Sequence, residues 1–197
     1  DGVSDNHCTL DTCLNFLSNP GSRWAYHNAP YTLLEKVINV STGTSINNYM
    51  QTKLKLNTGM TGFWTYVDYD NVYFSNAKSM ARFGLLIQNN GVWNSDTLLH
   101  DTIYYNQMTN TSQDLNLSYG YLWWLNGKES FMMPTLQGVF PGSYAPEAPS
   151  DMIAGLGKNG QILSISKSKG IVIVRMGNQA DGGDVPTMLC NNIWKKL

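Results

Sequence analysis

Charge is scarce in this sequence. Charged side chains make up 14% of its 197 residues, against about 25% in an ordinary globular chain. Thirteen Lys and Arg offset fourteen Asp and Glu to a net charge of -1. A chain so near neutrality has no cationic field for holding a nucleic acid or an anionic membrane, and neither partner is expected. Histidine is equally sparse: His7, His27 and His100 lie far apart, without H-E-x-x-H or another zinc spacing, so no metal is expected. No stretch approaches the roughly 18 apolar residues of a membrane span. The opening residues, Asp1-Gly2-Val3-Ser4-Asp5, lack the basic and apolar regions of a signal peptide, an absence that a mature exported chain shares. Intrinsic disorder is excluded as well, because 42% of the residues are hydrophobic and net charge is low.

Cysteine is also rare, and its placement carries information. Cys8 and Cys13 stand five apart in a polar loop, whereas Cys190 falls in an apolar helical pattern and reads as a small buried hydrophobe. The first two are expected to close a local disulfide, with two free thiols as the alternative; a zinc knuckle would need C-x-x-C. A disulfide would imply an oxidising compartment, hence a periplasmic or secreted protein.

The chain divides into two patterns. Residues 1–118 read as helix and loop. Pro30 takes a first-turn position before a stripe of Leu33, Leu34, Val37 and Ile38. Ser45 can cap a second helix bearing Ile46, Tyr49, Met50 and Leu54, and Ser75 a third with Met80, Phe83, Gly84 and Ile87, stopped at Asn90-Gly91. A shorter helix is expected after Ser95, through Leu98, Leu99 and Ile103. Residues 119–197 read as an antiparallel sheet with a closing helix. Tyr119 to Leu125 is strand-like, residues 134–150 hold four prolines and read as an irregular crossing loop, and three strands follow at Met152–Gly157, Gln161–Ser166 and Ile171–Met176. Asn159-Gly160 is a strong hairpin signal, since both turn positions need positive φ. Asp184 is expected to cap a last helix lined by Met188, Leu189, Ile193 and Leu197. The predicted architecture is an α/β protein of the α+β type. A sheet backed by a helix ordinarily has a second helix and further strands, which this pattern does not supply, so the fold reads as incomplete.

Several motifs fail on physical grounds. Gly155 to Gly160 spells G-x-G-x-x-G, but a dinucleotide site needs a helix after it and a strand follows, so no nucleotide cofactor, or any other, is expected. S-x-x-K strings occur at Ser75–Lys78, Ser164–Lys167 and Ser166–Lys169. On a helix that spacing sets an amine beside a nucleophilic hydroxyl. Ser75, however, sits at a cap, and on a strand positions i and i+3 face apart. No G-x-S-x-G elbow is present. The sequons at Asn39, Asn110 and Asn116 carry little weight in an Asn-rich chain. What remains is Pro20 to Leu34, with Tyr26-His27-Asn28 on a tight loop before a helix. A phenol there can relay protons when a neighbouring ammonium lowers its pKa, and an amide can hold a substrate carbonyl.

That stretch resembles the Tyr-x-Asn region of the serine beta-lactamase and penicillin-binding-protein superfamily, in its class C beta-lactamase and esterase branch. Its pattern P-G-[ST]-x-[WF]-x-Y-[SH]-N-x-x-Y-x-L-L is followed closely. Ser75 to Phe83 is similar to the family's S-x-x-D-M-A-R-F helix, Tyr119 to Trp124 to its Y-G-L-G-W-W strand, and the Gly155 hairpin and Ile171–Met176 to its third and following strands. The resemblance implies a beta-lactamase/transpeptidase-like fold, of which this chain is the carboxy-terminal portion. It implies a serine hydrolase acting through an acyl-enzyme, whose nucleophile belongs to an S-x-x-K segment upstream of these residues, so that this chain alone is inactive. Tyr26 takes the role of general base and acid, Asn28 orients substrate, and His27 fills the variable middle position. Gly155, Leu156, Gly157 and Lys158 fall on the strand lining the site, where a backbone N–H completes the oxyanion hole. Leu156 stands where the family carries lysine or histidine, and Lys158 is the candidate replacement. That departure favours an ester, amide or peptide substrate over an antibiotic. The implied partners are a small-molecule or peptide substrate and the missing amino-terminal segment, as a separate chain. The alternative is a non-catalytic penicillin-binding fold that holds peptidoglycan fragments.

Overall fold

The computed structural model describes residues 8–13, 15–178 and 185–197. Helix α1 (Ala29–Thr42) starts where Pro30 presets the first turn and ends at Gly43, whose φ of 67° lets its N–H return to Asn39 O. The expected stripe is only half inward: Leu33 and Ile38 are partly buried, while Leu34 and Val37 are exposed. Ser45 caps α2 (Ile46–Met50) by accepting the Asn48 N–H at 3.3 Å. The helical path continues through a wide π turn, Gln51–Lys55, into α3 (Leu56–Thr58). Strands β1 (Phe63–Val67) and β2 (Asp70–Phe74) form a hairpin. It is tied to α2 by Asn47, whose amide bonds both backbone groups of Trp64, at 2.9 and 2.7 Å.

Helix α4 (Ala77–Gln88) is capped by Asn76, whose side chain accepts the Ser79 N–H at 2.9 Å, and not by Ser75 as expected. Ser75 instead donates its hydroxyl to Thr61 O at 2.7 Å. Two neighbouring cap formers competed here, and the tertiary contact took one of them. The segment after α4 also departs from expectation. It is a small hairpin of β3 (Val92–Trp93) and β4 (Asp96–Thr97), and α5 (Thr102–Met108) begins later under an Asp101 cap.

Four antiparallel strands make the central sheet, in the order β10-β9-β8-β5: β5 (Trp124–Leu125), β8 (Ile153–Gly157), β9 (Gln161–Ser166) and β10 (Ile171–Arg175). The predicted hairpin turn is present, with Asn159 at φ 61° and Gly160 at φ 81°. Tyr119 to Leu125 is not one strand: the chain folds back through Leu122 (φ 64°) so that Tyr119 pairs with Trp124. Within the proline-bearing loop a further hairpin forms, β6 (Ser130–Met132) with β7 (Val139–Pro141). Asn126, buried, then holds the rest of that loop by donating to Ala145 O and accepting from Ala145 N.

Period-two alternation along β9 sends Leu163 and Ile165 to one face and Ile162 and Ser164 to the other. The first face packs on α4, so closely that a Cβ at Gly84 would lie 2.5 Å from Val172 Cγ1. The second packs on α6 (Thr187–Trp194), whose Trp194 Nε1 donates to Ser164 Oγ at 2.8 Å. The second helix that the sequence seemed not to supply is therefore α4, drawn from the first half of the chain. On α6, Leu189 and Ile193 pack on this core as expected, beside buried Cys190 and Trp194, while Met188 and, beyond the end of the helix, Leu197 are exposed. The expected cap, Asp184, lies outside the described residues.

Candidate functional site

The Tyr-x-Asn loop is built by local turns and anchored by aromatic packing. Gly21 adopts φ 76°, and Ser22 folds back onto Asn19 O through both its N–H and its hydroxyl, at 3.2 and 2.7 Å. The chain then runs to buried Ala29, where α1 begins. Gln137, on the connection between β6 and β7, donates to Trp24 O at 3.1 Å. Trp24 meets Trp124 edge-on at 6.5 Å, and Tyr26 stacks on Trp124 at 6.3 Å. Trp124 pairs in turn with Ala154, the residue before Gly155. Through one indole, then, the Tyr26 loop is brought beside the β8 segment nearly 130 positions away.

β5 pairs only with Ile153 and Ala154 of β8. Among the described residues no strand lies along the outer edge of Gly155 to Gly157. Gly155 also has no positive φ, and a Cβ built on it meets no described atom within 4 Å. Among the described residues, neither backbone strain nor close packing requires a glycine at this position.

The individual side chains are placed as follows. Asn28 occupies the N-cap position of α1, without a side-chain capping bond. His27 is partly buried, and burial, with the Arg23 charge beside it, holds its imidazole below the ordinary value. It is therefore neutral at pH 7. Leu156 turns its side chain into the core with Trp124, Ile162 and Trp194, because alternation along β8 sends 154 and 156 inward together. A lysine or histidine there would be buried among apolar groups. Lys158 is exposed in the turn after β8.

Two tyrosines that sequence reasoning did not assign to the site complete it. Tyr119 meets Tyr26 edge-on, with ring centroids 6.2 Å apart. Tyr31, one turn into α1, is pushed up to about 12, by burial and then by the charges of Asp70 and Tyr26. The available signal was the concentration of aromatics at 119–124, which reads as strand composition until the fold-back is known. Beside this cluster lies a cavity of about 270 Å³ lined by Tyr26, Tyr31, Glu35, Trp64, Asn71 and Tyr119, among others. A wider groove of about 470 Å³, between the end of α4 and the turn at Lys167–Gly170, has Lys167 as its single titratable lining residue and lacks an acid–base pair.

The S-x-x-K serines of this chain are committed elsewhere. Ser75 donates to Thr61 O, Ser164 accepts from Trp194, and Ser166 donates to Asp151 at 2.8 Å. Cys8 and Cys13 are joined in a disulfide, as expected, and Cys190 is a free, buried thiol raised to about 12 by burial. Among the described residues no three His, Cys, Asp or Glu side chains gather as a metal site requires, and no helix is long and apolar enough to cross a membrane.

Comparison with solved structures finds this fold elsewhere. "Putative 6-aminohexanoate-dimer hydrolase from Bacillus anthracis" superposes with a TM-score of 0.70 at 21% identity, covering 92% of this chain and 45% of that one. A putative beta-lactamase from Bacteroides dorei gives a TM-score of 0.61 at 17% identity, covering 91% and 60% respectively. This chain thus spans about half the length of the solved proteins it resembles. No curated protein matches it. The family model described as Beta-lactamase matches residues 14–189, nearly the whole chain. The chain is a member of the beta-lactamase family.

Proposed function

We propose that these residues form the substrate-orienting, proton-handling portion of an exported serine hydrolase acting on an ester, amide or peptide, with the nucleophilic serine supplied from outside the 197 residues. The observation that carries this reading is the juxtaposition of Tyr26 with the open edge of β8 through Trp124. In the reaction Tyr26 takes the proton of the serine hydroxyl as its oxygen attacks the substrate carbonyl, and passes that proton to the leaving group. Water, activated by the same phenolate, then releases the acyl group. Asn28 holds the substrate amide or ester, and an N–H on the β8 edge stabilises the oxyanion, a contribution worth on the order of 10²–10³ in rate in other hydrolases. The commitment of Ser75, Ser164 and Ser166 to structural bonds supports an external nucleophile. The Cys8–Cys13 disulfide supports a periplasmic or secreted setting.

The test has two parts. Intact mass after treatment with a fluorophosphonate probe should leave the 197-residue chain unlabelled, and a label on it would place the nucleophile among its own serines. In the longer gene product, Tyr26→Phe should lower kcat on a p-nitrophenyl ester by about 10²–10⁴-fold with the fold retained. Unchanged turnover would remove Tyr26 from the chemistry.

A further inference from the structure

The cavity beside Tyr26 is assembled from the opposed faces of two elements. Tyr31, Glu35 and Ile38 recur at the i, i+4, i+7 spacing that aligns side chains along one side of α1. Trp64 and Asn71 come from one face of the β1–β2 hairpin, where the register sets Tyr73 opposite Trp64 and Tyr66 opposite Asn71. That this face is turned toward α1 follows from the Tyr66 hydroxyl, which donates to Glu35. Tyr26 and Tyr119 complete the wall, so that four of the lining side chains are aromatic, and Ile38 and Ile46 add aliphatic surface.

Glu35 is the single charged residue lining this space. It is partly buried, and its carboxylate accepts the Tyr66 hydroxyl and, at 3.5 Å, the Asn39 amide. Both donors are neutral. Among the described residues no lysine, arginine or histidine forms an ion pair with it, and Arg23 and His27, on the Tyr26 loop, do not line the cavity. A carboxylate withdrawn from water among apolar groups is stabilised by a counter-cation, a charge that neutral donors do not supply. Asn71 is a second unfinished group. It is 4% exposed, and among the described residues its side-chain amide has no hydrogen-bond partner. Its oxygen can accept an N–H, and Tyr and Trp rings attract a cation through their electron-rich faces.

We propose that this cavity is a subsite for a primary ammonium carried on a short apolar group. Glu35 supplies the counter-charge, Asn71 accepts one ammonium N–H, and the rings and the two isoleucines enclose the apolar remainder. The assignment rests on the reading of Tyr26 as proton relay, and it adds a substrate class: esters or amides whose side chain ends in an amine. The cavity of about 270 Å³ suits a group the size of benzylammonium.

The experiment titrates benzylammonium, and separately its neutral counterpart benzyl alcohol, into the 197-residue chain, followed by nitrogen–proton NMR at the Trp64 indole. Benzylammonium should shift that resonance saturably and bind about 10-fold more tightly than the alcohol. Glu35→Gln keeps an acceptor for Tyr66 and removes the charge. It should lower the benzylammonium affinity about 10-fold and change that of benzyl alcohol by less than about twofold. No saturable shift, or an ammonium bound no better than the alcohol, overturns the proposal in the unaltered chain, whatever the variant does. An equal loss of both ligands in Glu35→Gln overturns it too, because the substitution would then act through shape and not charge. Neither readout requires nucleophile or turnover. Failure of the hydrolase reading, seen as full turnover of the longer gene product in Tyr26→Phe, is therefore distinct from failure here.

Discussion

The two halves of this molecule differ in how far they satisfy themselves. Around the central sheet, alternate strand residues enter two cores, one under α4 and one under α6, and both faces are covered. Around α1 and the β1–β2 hairpin, apolar residues face outward: Leu34, Val37 and Val40 are 46%, 58% and 85% exposed, and Phe63 and Phe74 stack on each other while 55% and 47% exposed. Both regions use apolar residues at the spacing their elements require. The difference lies in whether the chain supplies a second surface. Amphipathic periodicity says which face of an element is apolar; it does not say that the same chain covers it. Tyr26 lies on the boundary, anchored to the satisfied half by Trp124 and opening toward the other.

The contrast can be broken most directly at Trp124. It is 1% exposed, it joins the sheet core to the Tyr26 loop, and its truncation to Ala should cost about 3–5 kcal/mol in urea unfolding while releasing that loop. A loss below about 1 kcal/mol would mean that the sheet half is less tightly packed than its burial implies. A smaller effect is expected at Asp151. Burial by itself raises this carboxyl, but bonds from the Ser168 N–H and from the Ser166 and Ser168 hydroxyls outweigh it and hold it below the ordinary range. A depressed carboxyl stabilises the fold fully above its unfolded value, near pH 4, and loses that contribution as pH falls through the folded value. The gap in urea midpoint between the parent chain and Asp151→Asn should therefore be widest at pH 7 and close in acid. A pH-independent gap would show that the carboxylate charge is not what locks this turn. Smallest of all, Val40→Lys on the outer face of α1 should change stability by less than about 0.5 kcal/mol. A change above about 2 kcal/mol, read by thermal unfolding, would mean that this face is covered in solution.

Much of the sheet half was legible because its signals are local. Asn159-Gly160 takes positive φ at both positions, and strands flank it where alternation placed them. Ser45 caps its helix for the same reason. What escaped was decided over longer distances. Ser75 and Asn76 are both competent caps, and the Thr61 carbonyl settled which was used. That Trp194 joins Leu189 and Ile193 on the buried face of α6 depends on where Ser164 accepts its indole N–H. Tyr119 and Leu125 read as the ends of one strand because aromatic composition cannot register the reversal at Leu122. Within the site, the Tyr-x-Asn motif was visible and its neighbours were not. Tyr119 reaches Tyr26 through a fold-back, and Leu156 faces the core through a register that its own residues do not encode.

β5 is two residues long, yet it sets the alignment of everything beside it. Trp123, just before it, and Leu125 enter the core under α4 and Trp124 the core beneath Tyr26, so neighbouring side chains fill opposite layers. A slip of one position would exchange them, pushing each ring into a space shaped for the other and carrying Tyr26 away from the β8 edge. The dipeptide is thus a registration mark. Error in it is penalised on both faces at once, which lets a very short strand specify the placement of a loop a hundred residues upstream.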